Sequence, residues 1–247
     1  MSYLLIIPAR YKSKRFPGKP LKKIYGKEMI SYVWEKCISA VPKENVLIAT
    51  DSNKIQSFCK NKMYNVALTS SKCLTGTDRI YEISKKIKRD FYINVQGDEP
   101  LIDKQDIERF LSYAKKNKSS VINAYTKIKD KKEYFSTNVP KVIFDKNKNM
   151  IYMSRSNIPG NKKNIFKFAY KQVCIYSFPY KELQKFGKKN TKSLIENNED
   201  IEILRFLEMG IKIKMFETKN STIGVDTKHD LKKVERIIKN NAKIRSK

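Results

Sequence analysis

Five fixed positive charges crowd one short stretch of the chain: Arg10, Lys12, Lys14, Arg15 and Lys19. They share it with Ser13, Gly18 and two prolines, and it follows directly on the apolar run Leu4-Leu5-Ile6-Ile7. Guanidinium forks and ammonium point charges suit phosphate oxygens, and a glycine lets backbone N–H groups come close to them. A basic loop at the carboxyl end of a buried strand lies where open α/β sheets bind ligands, so a polyphosphate site is expected here. Two acidic turns could complete it. Asn94-Val95-Gln96-Gly97-Asp98-Glu99-Pro100 ends one apolar run, and Gly224-Val225-Asp226-Thr227 precedes a basic helix. Asp98 and Asp226 could hold magnesium, which takes one or two carboxylates and fills its shell with water and phosphate. On spacing alone each could equally cap a helix or close a turn. Thr75-Gly76-Thr77-Asp78-Arg79 offers hydroxyls, a glycine and an arginine at a helix start, either as one wall of a nucleotide pocket or as a plain capping turn. The single histidine, His229, sits in the first turn of a solvent-facing helix, so no Ser/His/Asp or Cys/His constellation can be assembled.

The elements that must position these residues alternate. Leu4–Ile7, Val46–Ala49, Val66–Leu68 and Phe91–Val95 read as buried strands. Met29–Ile38 carries one apolar helical face. Asp51 or Ser52 can cap a helix to about Asn61, Thr77 or Asp78 one to Ile87, and a further helix runs from Lys104 to Lys116. This order predicts a mostly parallel sheet with helices on both faces. In the second half, Lys141–Asp145 and Met150–Ser154 read as a hairpin, Val173–Ser177 as a strand and Glu199–Met209 as a helix stopped by Gly210. Ile211–Glu217 reads as a strand and Lys228–Asn240 as a terminal helix. Nothing resembles a linker, so residues 1–247 are expected to form a single domain.

Only eight glycines occur, and four of them (Gly18, Gly76, Gly97, Gly224) fall in separate strand-to-helix connections beside polar residues. Backbone that must approach something closely is one reason to place scarce glycine there. The formal net charge of +28 would attract polyanions. Yet only nine of the 53 basic residues are arginine and lysine is spread over nearly every segment, so a solvated surface is expected rather than a specific nucleic-acid partner. No apolar stretch approaches a membrane span, and the first apolar run is too short for a signal peptide, so a cytoplasmic location is expected. The four cysteines are widely spaced with no CxxC pair, which excludes a disulfide framework or zinc site of the usual pattern.

Taken in order, these segments resemble the cytidylyltransferases that activate 3-deoxy-manno-octulosonate (Kdo). Ile6-Ile7-Pro8-Ala9-Arg10 with Ser13, Arg15 and Pro17-Gly18-Lys19-Pro20-Leu21 is similar to that family's opening pattern. Thr75–Arg79, Asn94–Pro100, Val139–Val142, Ser154–Pro159 and Gly224–Thr227 match its later ones. The resemblance implies a nucleotide-diphospho-sugar transferase-like (Rossmann-like) α/β fold with a smaller β-rich lobe for sugar binding and dimerisation. It implies a homodimer that joins CTP to a 2-keto-3-deoxy sugar acid with Mg²⁺, releasing diphosphate and supplying lipopolysaccharide or capsule synthesis. By that resemblance Ala9, Arg10, Ser13, Arg15, Lys19, Thr77 and Arg79 would hold the nucleotide, with Arg10, Lys19 and Asp98 catalytic. Asp98 and Asp226 would hold the metal, and Gln96, Arg155, Gln172, Tyr176 and either Glu199 or Glu202 would face the sugar. The chain departs from the family where sugar identity is read. Gln172 stands for a usual histidine, Cys174 for a usual glycine and Cys73 for a common histidine. An alternative acceptor, 8-amino-Kdo or a nonulosonic acid of the neuraminate or pseudaminate type, therefore stands beside Kdo.

Overall fold

The computed structural model describes residues 2–12, 16–220 and 222–245. The chain opens with β1 (Tyr3–Ala9), buried along its whole length. A short 3₁₀ turn, Lys19–Leu21, leads into a small ribbon of β2 (Lys23–Ile24) and β3 (Lys27–Glu28), then α1 (Met29–Ala40). There follow β4 (Val46–Thr50), α2 (Asn53–Asn61), β5 (Val66–Leu68), α3 (Gly76–Lys86), β6 (Phe91–Val95) and α4 (Lys104–Lys116). The second half runs β7 (Val121–Lys127), α5 (Lys131–Phe135), β8 (Lys141–Phe144), β9 (Met150–Ser154), β10 (Tyr170–Pro179) and α6 (Tyr180–Phe186). It ends with α7 (Leu194–Glu199), α8 (Leu204–Glu208), β11 (Ile213–Glu217) and α9 (Lys228–Arg245).

The main sheet has the order β11-β7-β10-β6-β1-β4-β5, with β8 and β9 branching from β10 as a small antiparallel extension. All main-path pairings are parallel except the two made by β10, which lies antiparallel between β6 and β7. Strand alternation divides the core into two layers. Leu5, Ile7, Ile48, Ile93 and Val95 pack on one face beneath α1, α2 and α4, whereas Leu4, Ile6, Ala49 and Tyr92 face α3, α6 and α8. Burying each such large side chain contributes roughly 1.5–3 kcal/mol. The mostly parallel sheet with helices on both faces agrees with the expected fold.

Several expectations change. Val66–Leu68 is a strand but an edge one, only partly buried. Thr75, not Thr77 or Asp78, caps α3: its hydroxyl accepts from Asp78 N–H (3.2 Å), while the Asp78 carboxylate accepts from Thr75 N–H (2.8 Å). Ser52, rather than Asp51, caps α2. The helix expected over Glu199–Met209 shortens to α8: α7 ends at Glu199, Asp200 turns left-handed (φ 51°) and the Glu202 side chain is drawn toward α3. Gly210 is left-handed beyond α8 as expected (φ 72°). Strand β7 has no counterpart in the sequence reading, since Asn123 interrupts its apolar run. That asparagine is fully buried and donates to the carbonyls of Val173 (3.1 Å) and Ile175 (3.0 Å). It thereby satisfies carbonyls at the bulge in β10 where pairing with β7 shifts register.

Candidate active site

Three connections converge at the carboxyl ends of β1 and β6. Gly18 adopts φ 67°, and its N–H donates to the Tyr11 carbonyl (2.9 Å), folding the basic loop back so that Lys19 leaves it toward the sheet. Gly97 follows β6, and a Cβ there would stand 2.9 Å from the Pro8 carbonyl oxygen, so the acidic turn and the end of β1 are in backbone contact. The Asp98 carbonyl accepts from Val225 N–H (2.9 Å), which ties the two acidic turns to each other.

These ties direct three charges to one point. Lys19 Nζ lies 2.6 Å from Asp98 Oδ2 and 3.2 Å from Asp226 Oδ1. Neither carboxylate caps a helix. Asp103 caps α4, accepting from Gln105 and Asp106 N–H. At the start of α9, Thr227 Oγ1 accepts from Asp230 N–H (3.2 Å) and the Asp230 carboxylate accepts from Thr227 N–H (2.8 Å). The capping alternative therefore lapses for both. Desolvation pulls the Lys19 pKa down, but the two carboxylates outweigh it and hold the amine above its ordinary value. Because one nitrogen reaches both, Asp98 and Asp226 can address a single cation. No group of three or more His, Cys, Asp or Glu among the described residues could hold a metal. Two hard oxygen donors are the kind of pair magnesium takes, with water and phosphate completing its shell.

Beside them, Glu99 is buried (4 % exposed), and burial together with the Asp98 charge pushes its carboxyl up to about 7. The sequence reading gave Glu99 no role.

A second cluster lies on the α3 side. Gln96 Nε2 donates to Glu202 Oε1 (2.9 Å), and Thr77 N–H donates to Glu202 Oε2 (2.9 Å). Desolvation is the main cause that raises the Glu202 pKa. Gly76 leaves room for the Gln96 amide, since a Cβ there would lie 2.8 Å from Nε2. Glu199 is engaged elsewhere. Burial alone would raise its pKa, but Arg155 N–H (2.8 Å), Ser154 Oγ (2.6 Å) and Tyr152 Oη (3.2 Å) donate to its carboxylate and hold it below the usual range. The Arg155 guanidinium in turn donates to the carbonyls of Glu199 (2.5 Å), Thr137 (2.9 Å) and Asp200 (3.1 Å). Of the two glutamates considered for the sugar, Glu202 is thus the one joined to Gln96, and Glu199 braces the end of β9.

The remaining residues fall around these clusters. Ala9 is buried at the end of β1, and Arg10 is exposed just beyond it. Arg79 is 3 % exposed, pairs with Asp51 (3.2 Å) and donates to Thr69 Oγ1, so it braces the ends of β4 and β5. Gln172 Nε2 donates to Asn123 Oδ1 (3.2 Å) beside the bulge. Tyr176 is buried and stacks on Phe178. The Cys174 carbonyl accepts from Gln96 N–H (3.2 Å), and burial pushes its thiol far above the ordinary range. Ser13 and Arg15 lie outside the described residues.

Sequence reading also missed a buried charge cluster that supports this side of the site. Arg205 Nε and one terminal nitrogen reach the Glu196 carboxylate (2.6 and 2.7 Å), and Nη1 reaches Asp78 Oδ1 (2.8 Å). It joins α7 and α8 to the first turn of α3. Neither pairing has a local signature, since Glu196 and Arg205 lie nine residues apart on separate helices and Asp78 is 127 residues from Arg205.

A doubly wound sheet that gathers a basic turn and two acidic turns at one edge defines a protein of the nucleotidyltransferase class. Residues 4–213 match the cytidylyltransferase family, and the chain belongs to that family. It is 39 % identical over 247 residues to the 3-deoxy-manno-octulosonate cytidylyltransferase of Fusobacterium nucleatum subsp. nucleatum, covering 99 % of this chain and 100 % of the relative. It is 38 % identical over 237 residues to the 8-amino-3,8-dideoxy-manno-octulosonate cytidylyltransferase of Shewanella pealeana, covering 94 % and 96 %. A solved structure of CMP:2-keto-3-deoxy-manno-octonic acid synthetase complexed with CTP superimposes with a TM-score of 0.89 at 32 % identity, covering 98 % of this chain and 100 % of that one.

Proposed function

We propose that this chain transfers CMP from CTP to the anomeric hydroxyl of Kdo, giving CMP-Kdo and diphosphate. The observation that carries the reading is the meeting of Lys19 with Asp98 and Asp226, three residues far apart in sequence, at the carboxyl edge of the sheet. Arg10 and Lys19 supply positive charge for the triphosphate oxygens, with Arg15 in the same loop. Charge grows on phosphate oxygens as the hydroxyl attacks the α-phosphorus, so prearranged cations on this loop lower the barrier mainly by positioning and electrostatic stabilisation. Asp98 and Asp226 would hold Mg²⁺. When bound, the metal neutralises phosphate charge and lowers the pKa of a bound hydroxyl. Gln96, oriented by Glu202, presents its amide toward the acceptor side, and Thr77 and Arg79, both buried in the first turn of α3, support the nucleotide side from behind.

The Kdo assignment draws support from relatives named for that sugar at 36–39 % identity over nearly the whole chain. A second acceptor, 8-amino-Kdo, is favoured by the relatives named for it and by Gln172 and Cys174, which alter the strand expected to read the sugar. The reading includes a cytoplasmic homodimer supplying lipopolysaccharide or capsule synthesis. In keeping with it, no helix among the described residues is long and apolar enough to cross a membrane. Substituting Asp98→Asn tests the metal assignment: magnesium-dependent diphosphate release from CTP is expected to fall at least a thousandfold with the fold intact by circular dichroism. Undiminished release would refute it.

A further inference from the structure

Strand β10 departs from regular pairing at one point. Val173 stands opposite Ala124 and Tyr176 opposite Asn123, so Cys174 and Ile175 have no counterparts in β7. Such a bulge re-aims the side chains of the strand that carries it. It lies beside the Gln96–Glu202 pair, because the Cys174 carbonyl accepts from Gln96 N–H (3.2 Å) on the β6 side. Val173 and Ile175 are fully buried on one face of β10, whereas Gln172 and Cys174 are only partly buried on the other.

Asn123, itself fully buried, closes the β7 side of the bulge. An asparagine amide has two N–H donors at one end and a carbonyl oxygen at the other. Both donors are taken, since Nδ2 reaches the carbonyls of Val173 (3.1 Å) and Ile175 (3.0 Å). The reverse orientation would set Oδ1 against those two carbonyl oxygens, which repel it. Oδ1 is therefore the end that faces Gln172, and it can only accept. Gln172 answers with its own NH₂, Nε2 donating to Oδ1 (3.2 Å). That leaves the Gln172 carbonyl oxygen as the end of its amide away from Asn123.

We propose that Asn123 is a positioning residue for the acceptor: by fixing the β10 bulge and the sense of the Gln172 amide, it makes Gln172 present an oxygen, Oε1, to the sugar acid. The group selected there is a hydrogen-bond donor, a hydroxyl or an ammonium, and a carbonyl or carboxylate oxygen is disfavoured. Asn123 acts through Gln172 and touches neither substrate. This rests on the reading of the site as one for CTP and a 2-keto-3-deoxy sugar acid.

The test is steady-state diphosphate release by wild type, Asn123→Ala, Gln172→Met and the double variant, each with Kdo and with 8-amino-Kdo. Either single variant is expected to raise KM for the acid about tenfold while KM for CTP stays within about twofold. The double variant should be no worse than the worse single one, because both changes remove the same contact. Gln172→Lys, which offers only donors, should be at least as impaired as Gln172→Met. Equal losses with the two acids support the proposal with a shared hydroxyl as the donor, and a loss confined to one acid supports it with the donor at carbon 8. Asn123→Ser, which keeps a donor for the bulge and shortens the reach to Gln172, repeats the arm if the alanine variant folds poorly. The proposal is overturned if either folded single variant keeps the wild-type KM for both acids, or if KM for CTP rises as much as KM for the acid. It is also overturned if the single effects multiply in the double variant, or if Gln172→Lys recovers wild-type KM. Failure of the underlying reading looks different: wild type would then release no diphosphate with either acid, and the proposal would fall with it.

Discussion

Replacing Arg205 with alanine removes a cation shared by two buried carboxylates. Glu196 is fully buried and Asp78 is 6 % exposed, and Arg205 itself is 4 % exposed. The guanidinium makes two close contacts to Glu196 (2.6 and 2.7 Å) and one to Asp78 (2.8 Å), with its face 3.8 Å from the centre of the Phe186 ring. Removing one partner from a buried ion pair typically costs about 3–5 kcal/mol, because the remaining charge stays desolvated. Local bonds survive here, among them Ser193 N–H to Glu196 (3.0 Å) and the Thr75 N–H and hydroxyl to Asp78 (2.8 and 2.7 Å), which places the expectation at the lower end, about 3 kcal/mol. That is a large share of the roughly 5–15 kcal/mol that holds a typical domain. Urea unfolding of wild type and Arg205→Ala gives the difference directly. The triple variant Arg205→Met, Asp78→Asn, Glu196→Gln leaves no charge in this cluster and should recover most of it. The cluster also joins α8 to the turn where Thr77 N–H meets Glu202, so folded Arg205→Ala should show a raised KM for the sugar acid. A loss under about 1 kcal/mol, or a triple variant no more stable than the single one, would refute the reasoning.

Three further outcomes are expected. Gly76→Ala sets a Cβ 2.8 Å from the Gln96 amide, a movable side-chain end, so the protein should stay folded while KM for the sugar acid rises several-fold in steady-state assays. Gly97→Ala meets a backbone oxygen at 2.9 Å instead, so diphosphate release should fall more than tenfold and the melting temperature should drop. Glu99, raised to about 7 when folded, favours the folded state below its ordinary pKa, and that contribution is lost as pH rises through about 7. In metal-free buffer, urea unfolding should therefore show wild type losing about 2–3 kcal/mol relative to Glu99→Gln between pH 5 and pH 8.

The strands that carry the phosphate loop and the first acidic turn were legible because β1 and β4 are nearly continuous apolar runs and β6 carries a single asparagine, Asn94, next to its last residue. The site motifs were legible because each lies within a few residues of a strand end. Strand β7 was not, because Asn123 serves a bulge in another strand and breaks the pattern that would reveal it. The break between α7 and α8 was hidden for a similar reason. Glu202 fits a helical face in sequence, yet its carboxylate is drawn to Thr77 N–H, 125 residues away. Lys19 read as a phosphate ligand, and its pairing with carboxylates 79 and 207 residues distant has no local signature. Cap identity failed on a finer point: Thr75, Thr77 and Asp78 are all capping types, and only the backbone shows which one ends the extended segment.

The central claim is CMP transfer to a 2-keto-3-deoxy sugar acid, and diphosphate release from CTP with Mg²⁺ tests it most directly. The acceptors to compare are Kdo, its 8-amino analogue, N-acetylneuraminate and a diamino nonulosonate. Rapid release is expected with Kdo and little with the nonulosonates. Release with the 8-amino sugar alone would move the acceptor to that sugar, and no release with any of the four would rule out CMP transfer to this class of acid.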